Sequence, residues 1–270
     1  MQYLKNAQPI SEISLLDRAF HYGDGCFSTA RVFNNNIELF QRHIFRLQQA
    51  CHCLSLQADL RYIEESINYL ITRLHILNGT LKIVISRGDG QRGYSLPDQP
   101  ADVWVMYYPA VLQEHRYIEI QGGVAHQRLG LSMPNLVGLK SLNRLEQVML
   151  KHEVDQQQWD EALVLDVTGQ IVEGVSSNCF IRINNQWITP ELRYNGVHGV
   201  MRAEILARMQ ASNVHCEQRS ISENEISQIE SLFFCNALSP MKIMTQLDQM
   251  PLAVQPCIDL FHTLQLNQIQ

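Results

Sequence analysis

The sequence predicts an α+β protein built as two domains. Its strand-forming stretches come in bunches separated by single helical stretches, unlike the regular strand–helix alternation of a doubly wound sheet. Its 270 residues correspond to about 1.8 times an ordinary domain of about 150 residues. With 46% hydrophobic and 18% charged residues, the chain can bury a core and lies far from disordered compositions.

A short strand near Tyr3 and Leu4 opens the chain. The β-rich run Cys26 to Phe33 then reads as a strand, followed by Asn34-Asn35-Asn36, residues that tolerate left-handed backbone angles. Ile37 to Leu39 would return as the second arm of a hairpin. Phe40, Ile44, Leu47 and Cys51 recur at spacings of four, three and four, which predicts an amphipathic helix from Leu39 to Leu54. Ile63, Ile67, Leu70 and Leu74 predict a second, from Tyr62 to Leu77. Strands at Leu81 to Ser86 and Val103 to Tyr108 flank a polar, glycine-bearing loop, Arg87 to Pro100.

Pro109 ends that strand and a new series begins beyond it, which divides the chain into a small N-terminal domain, residues 1–110, and a larger one, 111–270. The second domain reads as a strand at Ile118 to Ala125, a helix from about Ser141 to Gln156, and strands at Ala162 to Leu165, Gln170 to Val172, Ser177 to Ile183 and Trp187 to Thr189. A helix at Val200 to Gln210, strands at Val214 to Arg219 and Ser231 to Cys235, and a helix near Pro256 to Leu266 complete it.

The 21 basic and 27 acidic residues leave a net charge of −6, and no basic block offers purchase to a phosphate backbone, which argues against nucleic acid. Met1 to Ser11 lacks a basic start followed by an apolar stretch, and no window nears the roughly 18 apolar residues that a membrane span needs. A soluble cytoplasmic protein without membrane partners is expected. Seven scattered cysteines, an odd number, suit reduced buried thiols better than a disulfide frame. Cys51-His52-Cys53 has the wrong step for two ligands on one helical face, so no metal is expected.

Several residues could carry chemistry. Lys140 lies directly before the helix that Ser141 would cap, where the dipole disfavours an ammonium and favours the neutral amine of a Schiff-base lysine. From position alone, a solvated loop lysine is the simpler alternative. Gly196-Val197-His198-Gly199-Val200-Met201-Arg202 is a glycine-bracketed turn opening a helix and suits a phosphate. Asn236-Ala237-Leu238-Ser239-Pro240 is a second polar turn. Arg46, beside the apolar face of its helix, could add a charged fork, or could lie over that face with its head in water. Glu173, among apolar neighbours, needs a partner such as a protonated pyridine nitrogen, unless it is a solvated acid in a hairpin turn. Arg87 and Arg92, with Tyr94, suit a substrate bearing carboxylates; an exposed Asp-Gly turn is the alternative.

Taken together, Asp17 to Arg31, Ile85 to Ser95, Gly138 to Gln147 and Cys235 to Leu238 resemble the fold-type IV pyridoxal phosphate enzymes, the class IV aminotransferase-like group. That group holds branched-chain and D-amino acid aminotransferases and 4-amino-4-deoxychorismate lyases, and the segments are most similar to the lyases. Glu173, Asn178, Phe180, Thr189, Val197, Gly199, Val200 and Arg202 fit the group's signature, whereas Val175 replaces a small residue and Trp187 an aliphatic one.

The resemblance implies a small N-terminal α/β domain and a larger, α/β-barrel-like, cofactor-binding domain. It implies pyridoxal 5′-phosphate held by Lys140 through an imine, with Glu173 on the pyridine nitrogen. The phosphate would be held by Arg46 and by the backbone at Val197, His198, Ala237 and Leu238, with Asn236 opening that turn. It places Thr29 as a proton relay beside Lys140 and Arg92, Arg87 and Tyr94 at the substrate carboxylates. The implied activity is lysis of 4-amino-4-deoxychorismate to 4-aminobenzoate and pyruvate in folate biosynthesis; the alternatives are a D-amino acid or branched-chain aminotransferase of the same fold, or a non-catalytic ligand-binding relative. A homodimer with its site near the subunit and domain boundary is also implied.

Overall fold

The computed structural model describes residues 1–270. Met1–Gln113, Leu139–Asn143 and Gln270 form one compact unit; Glu114–Gly138 and Arg144–Ile269 form the other. The architecture is α+β, as the sequence predicts.

The first unit contains β1 (Gln2–Lys5), β2 (Gln8–Pro9), α1 (Arg18–Tyr22), β3 (Gly25–Phe33), β4 (Asn36–Ile37), α2 (Phe40–Cys53), α3 (Arg61–Leu74), β5 (Gly79–Ser86) and β6 (Asp102–Pro109). Its six strands pair antiparallel in the order β2-β1-β6-β5-β3-β4. Asn34 and Asn35 turn β3 into β4 at φ of 50° and 67°. The return arm is shorter than predicted, because Leu39 already adopts φ 55° at the start of α2.

Alternation along a strand sends successive side chains to opposite faces. Cys26, Val32, Leu81, Ile83 and Ile85 therefore share a core with Leu47, Ala50 and Cys51 of α2 and Ile63, Ile67 and Leu70 of α3. Phe27, Thr29 and Arg31 fall on the opposite face of β3, and Lys82 of β5, directly across from Thr29, joins them.

Since β4 pairs only with Val32 and Phe33, the first half of β3 has a free edge, and Leu139–Asn143 lies along it. Phe27 N–H donates to the Lys140 carbonyl at 2.9 Å, Leu142 N–H donates to the Gly25 carbonyl at 3.0 Å, and Ser141 bridges Cys26. This pairing corrects the helix start expected at Ser141. The backbone there is committed to β3, so the helix begins only at Leu145, without a side-chain cap. Lys140 consequently does not sit at a helix amino end, and its amine, contrary to expectation, does not lie at the pole of a helix dipole.

The second unit contains β7 (Ile118–Val124), α4 (Leu145–Gln156), β8 (Glu161–Leu165), β9 (Ile171–Gly174), β10 (Asn178–Ile183), β11 (Gln186–Pro190), α5 (Val200–Ala211), β12 (Cys216–Arg219), β13 (Ser231–Asn236), β14 (Ser239–Leu247), β15 (Met250–Pro251) and α6 (Gln255–Thr263). Its main sheet runs β12-β11-β10-β13-β14-β7-β8-β9. Only three residues link β9, at one end of that order, to β10, which lies five places away, so the sheet must curl to bring them together.

The sequence does not predict the nine-residue β14, because Pro240, Lys242, Thr245 and Gln246 interrupt its apolar pattern. It nevertheless holds the middle of the sheet, antiparallel to β13 and parallel to β7. Phe180 and Phe233 stack across β10 and β13 at 4.9 Å, with Trp187 edge-on at 5.5 Å. Burial of such rings contributes about 2 kcal/mol each.

Candidate active site

In the first unit, the Lys140 ammonium lies 4.7 Å from the centre of the Phe27 ring, and the Lys82 ammonium lies 5.1 Å from the same centre. Thr29 is two residues along the strand from Phe27 and faces the same way, so an amine, a second cation and a hydroxyl share one face of the sheet. Lys82 escapes notice in the sequence, where it reads as one polar residue alternating in a strand. Its register opposite Thr29 could have singled it out.

Behind that strand, Arg46 of α2 donates from Nη2 to Ser28 Oγ at 2.6 Å, while its buried Nε has no partner. Burial lowers its pKa to about 10, opposed only by the nearby Cys26 thiol, and no carboxylate compensates it. A buried cation with spare donors and no counter-charge is costly. An anion such as a phosphate relieves that cost.

Arg87 and Arg92 separate sharply. Arg87 is 6% exposed. Its Nε donates to Asp24 at 2.8 Å, Nη1 to the Ser55 carbonyl at 3.0 Å and Nη2 to the Leu54 carbonyl at 2.6 Å. Asp24 also accepts from Arg18 Nε at 2.8 Å. Burial pushes the Asp24 carboxyl up, but the two guanidiniums outweigh it and hold it below the usual range. The expectation that Arg87 meets a substrate carboxylate is corrected: its guanidinium ties the loop's base to the fold. Arg92 is exposed, and Tyr94, 86% exposed, lies with its ring 5.6 Å from that of Tyr22.

In the second unit, Glu173 is buried within β9 rather than in a solvated turn. Its Oε2 accepts from Val197 N–H at 2.9 Å and from Asn178 Nδ2 at 3.4 Å, and Asn178 also donates to the Val197 carbonyl at 2.9 Å. The carboxylate is thereby fixed in orientation. His198 N–H donates to the Gly138 carbonyl at 3.0 Å, and Leu238 N–H to Asn236 Oδ1 at 3.0 Å. The expectation that the amides of Val197, His198 and Leu238 hold a phosphate is therefore corrected, because all three are already committed.

The open amides lie close by. Gly199 precedes α5 in an extended conformation, leaving the first-turn N–H groups of Val200 and Met201 without intrahelical partners. A Cβ at Gly199 would collide with the Asn178 side chain, so glycine is needed for that entry. Ala237 N–H in the β13–β14 turn also has no partner, unlike Leu238 and Ser239, which both donate to Asn236. The turn formed by Asn236, Ala237 and Leu238 thus keeps one open donor.

Supporting contacts fix these pieces. Arg202 staples α5 to the sheet through Thr189 Oγ1 at 3.2 Å and the Pro190 carbonyl at 2.8 Å. Gly138, at φ 78°, lies against the His198 ring, where a Cβ would collide. Burial lowers the His198 pKa, opposed by its hydrogen bond to the Leu192 carbonyl and aided by Arg202.

Within the first unit, a lysine amine and an uncompensated buried guanidinium suit the aldehyde and the phosphate of pyridoxal phosphate; within the second, a fixed buried carboxylate and a helix amino end suit its pyridine nitrogen and its phosphate. Residues 25–246 match the class IV amino-transferase family, and the chain belongs to it. Enzymes of this class depend on pyridoxal phosphate, and so does this one. The chain is 31% identical over 237 residues, 86% of either protein, to an aminodeoxychorismate lyase of Vibrio harveyi. The crystal structure of 4-amino-4-deoxychorismate lyase from Pseudomonas aeruginosa superimposes with a TM-score of 0.85 at 30% identity, covering 96% of this chain and 98% of that one. A D-alanine aminotransferase of Bacillus licheniformis is 23% identical over 244 residues, 87% of this chain and 83% of that one.

Proposed function

We propose that the protein is an aminodeoxychorismate lyase, converting 4-amino-4-deoxychorismate to 4-aminobenzoate and pyruvate. The observation that carries this reading is the Thr29 hydroxyl on the face of β3 where the Lys140 amine lies over Phe27. The 31% identity to the Vibrio harveyi lyase supports it.

When bound, pyridoxal phosphate supplies the electron sink for the carbanion at the substrate carbon that bears nitrogen. Lys140 would hold the cofactor at rest, and its amine, when free, would be the base that takes the ring proton from that carbon. As the ring C–O bond breaks, its electron pair would leave with the enolpyruvyl group and the ring becomes aromatic; Thr29 would relay the proton to the departing enolpyruvate, which becomes pyruvate. Glu173 would keep the pyridine nitrogen protonated, and Arg46, the first-turn amides of α5 and the Ala237 amide would hold the phosphate. Arg92 and Lys82 supply positive charge to the substrate's carboxylates, and Tyr94 packs beside Arg92.

The protein is further proposed to act as a homodimer. Exposed Leu145, Val148 and Met149, at helical spacing on α4, support this, as do exposed Ile13, Leu15, Leu16 and Phe20 around α1. A cytoplasmic location suits the reaction, and no helix is long and apolar enough to cross a membrane.

Product analysis decides the activity. Holoenzyme given aminodeoxychorismate releases 4-aminobenzoate and pyruvate in equal amounts; Thr29→Val slows this at least tenfold, whereas Thr29→Ser keeps most of the rate. Turnover of D-alanine with 2-oxoglutarate, without any 4-aminobenzoate formation, refutes the lyase reading.

A further inference from the structure

Arg46 is oriented by two residues that no assigned role uses. Ser28 points from β3 toward α2, and His43 and Arg46 stand three residues apart on the helix that covers it. Ser28 Oγ lies 2.6 Å from His43 Nδ1 and 2.6 Å from Arg46 Nη2. A guanidinium can only donate, so Ser28 Oγ accepts from Arg46. The single hydroxyl hydrogen then has His43 Nδ1 as its acceptor, which places the imidazole proton on Nε2.

His43 is 1% exposed. Burial, and secondarily the charge of Arg46, depresses its pKa to about 3, so the ring stays neutral and keeps its acceptor lone pair. The relay therefore runs one way, from guanidinium to hydroxyl to imidazole. Neither Ser28 nor His43 carries charge, so the pair fixes the guanidinium without neutralising it. One Nη2 hydrogen is anchored, while the buried Nε keeps no partner and the guanidinium charge stays without a carboxylate to compensate it.

We propose that Ser28 and His43 are positioning residues that preset Arg46 for the phosphate of the cofactor. The inference rests on the reading of Arg46 as a phosphate ligand. Preorganisation of this kind raises affinity by removing the rotamer freedom that Arg46 would otherwise lose on binding.

The test compares retention of pyridoxal phosphate with that of pyridoxal, which lacks the phosphate, followed by cofactor absorbance during dialysis of the holoenzyme. Ser28→Ala and His43→Leu each weaken pyridoxal phosphate about tenfold and leave pyridoxal unchanged. His43→Asn, whose Oδ1 can accept where Nδ1 did, retains most of the wild-type affinity. If His43→Leu does not fold, Ser28→Ala, which removes one oxygen atom, decides alone.

Because His43 stays neutral, retention by the wild type shows no inflection at about pH 6.5, the ordinary histidine range. An inflection there that His43→Asn abolishes overturns the relay. Wild-type retention in both Ser28→Ala and His43→Leu overturns it as well. Arg46→Gln separates the two readings. If the pyridoxal phosphate to pyridoxal preference survives that change, the phosphate assignment itself fails; if the preference is lost there but kept in Ser28→Ala, only the positioning role fails.

Discussion

Phe27 and Lys140 are joined twice: the Phe27 amide donates to the Lys140 carbonyl at 2.9 Å, and the Lys140 ammonium lies over the Phe27 ring at 4.7 Å. Backbone pairing thus sets where the amine points, and the ring gives it an electron-rich surface.

Lys140→Ala removes the visible cofactor band, the borohydride-trapped adduct on the peptide 138–147, and turnover by at least a thousandfold. Phe27→Leu keeps the band and slows turnover by about fivefold, the scale of a cation–π contact of about 1 kcal/mol. Absorbance spectra and trapped-peptide mass spectrometry check both.

Arg87 and Arg92, five residues apart, respond to alanine in opposite ways. Arg92→Ala raises KM and leaves the melting temperature unchanged, since the side chain is exposed. Arg87→Ala lowers stability by about 3 kcal/mol by stranding the partly buried Asp24 carboxylate with one guanidinium fewer. Steady-state kinetics and thermal melts separate the two.

Asp24 also makes stability depend on acid. Its folded pKa lies below the unfolded value because the hydrogen bonds of Arg87 and Arg18 outweigh burial. The unfolded chain therefore takes up protons first as pH falls. The contribution is complete above the ordinary carboxylate value of about 4 and disappears as pH drops through the folded value. Asp24→Asn flattens that part of the stability–pH curve, measured by urea unfolding from pH 6 to 3.

Gly138→Ala places a Cβ against the His198 ring at a backbone angle that L-residues rarely adopt. A loss of about 1–3 kcal/mol is expected. Gly130→Ala, whose nearest neighbour would be Glu146 Oε1 at 3.8 Å, serves as the control in the same denaturant titration.

Periodic segments were the legible part of the sequence. The α2 and α3 stripes and the alternation of β3 follow from one buried face, and side-chain spacing records such a face directly. The start of α4 was not legible, because the extended path of Leu139–Asn143 depends on pairing with a strand more than a hundred residues earlier. β14 was missed for a related reason: in the middle of the sheet its partners, and not its own alternation, define it. In the site, residue types such as Lys140, Glu173 and Arg46 could be read from chemistry and resemblance. Which amides remain open could not, since that depends on where Glu173, Gly138 and Asn236 spend their hydrogen bonds.

The short run Leu139–Asn143 has a practical implication for dissecting the molecule. A fragment ending at Gln113 would lack the chain that covers the first half of β3. Its bare backbone donors and acceptors would invite strand-to-strand association with other copies, so an N-terminal piece expressed alone should aggregate unless a peptide spanning 139–143 is supplied.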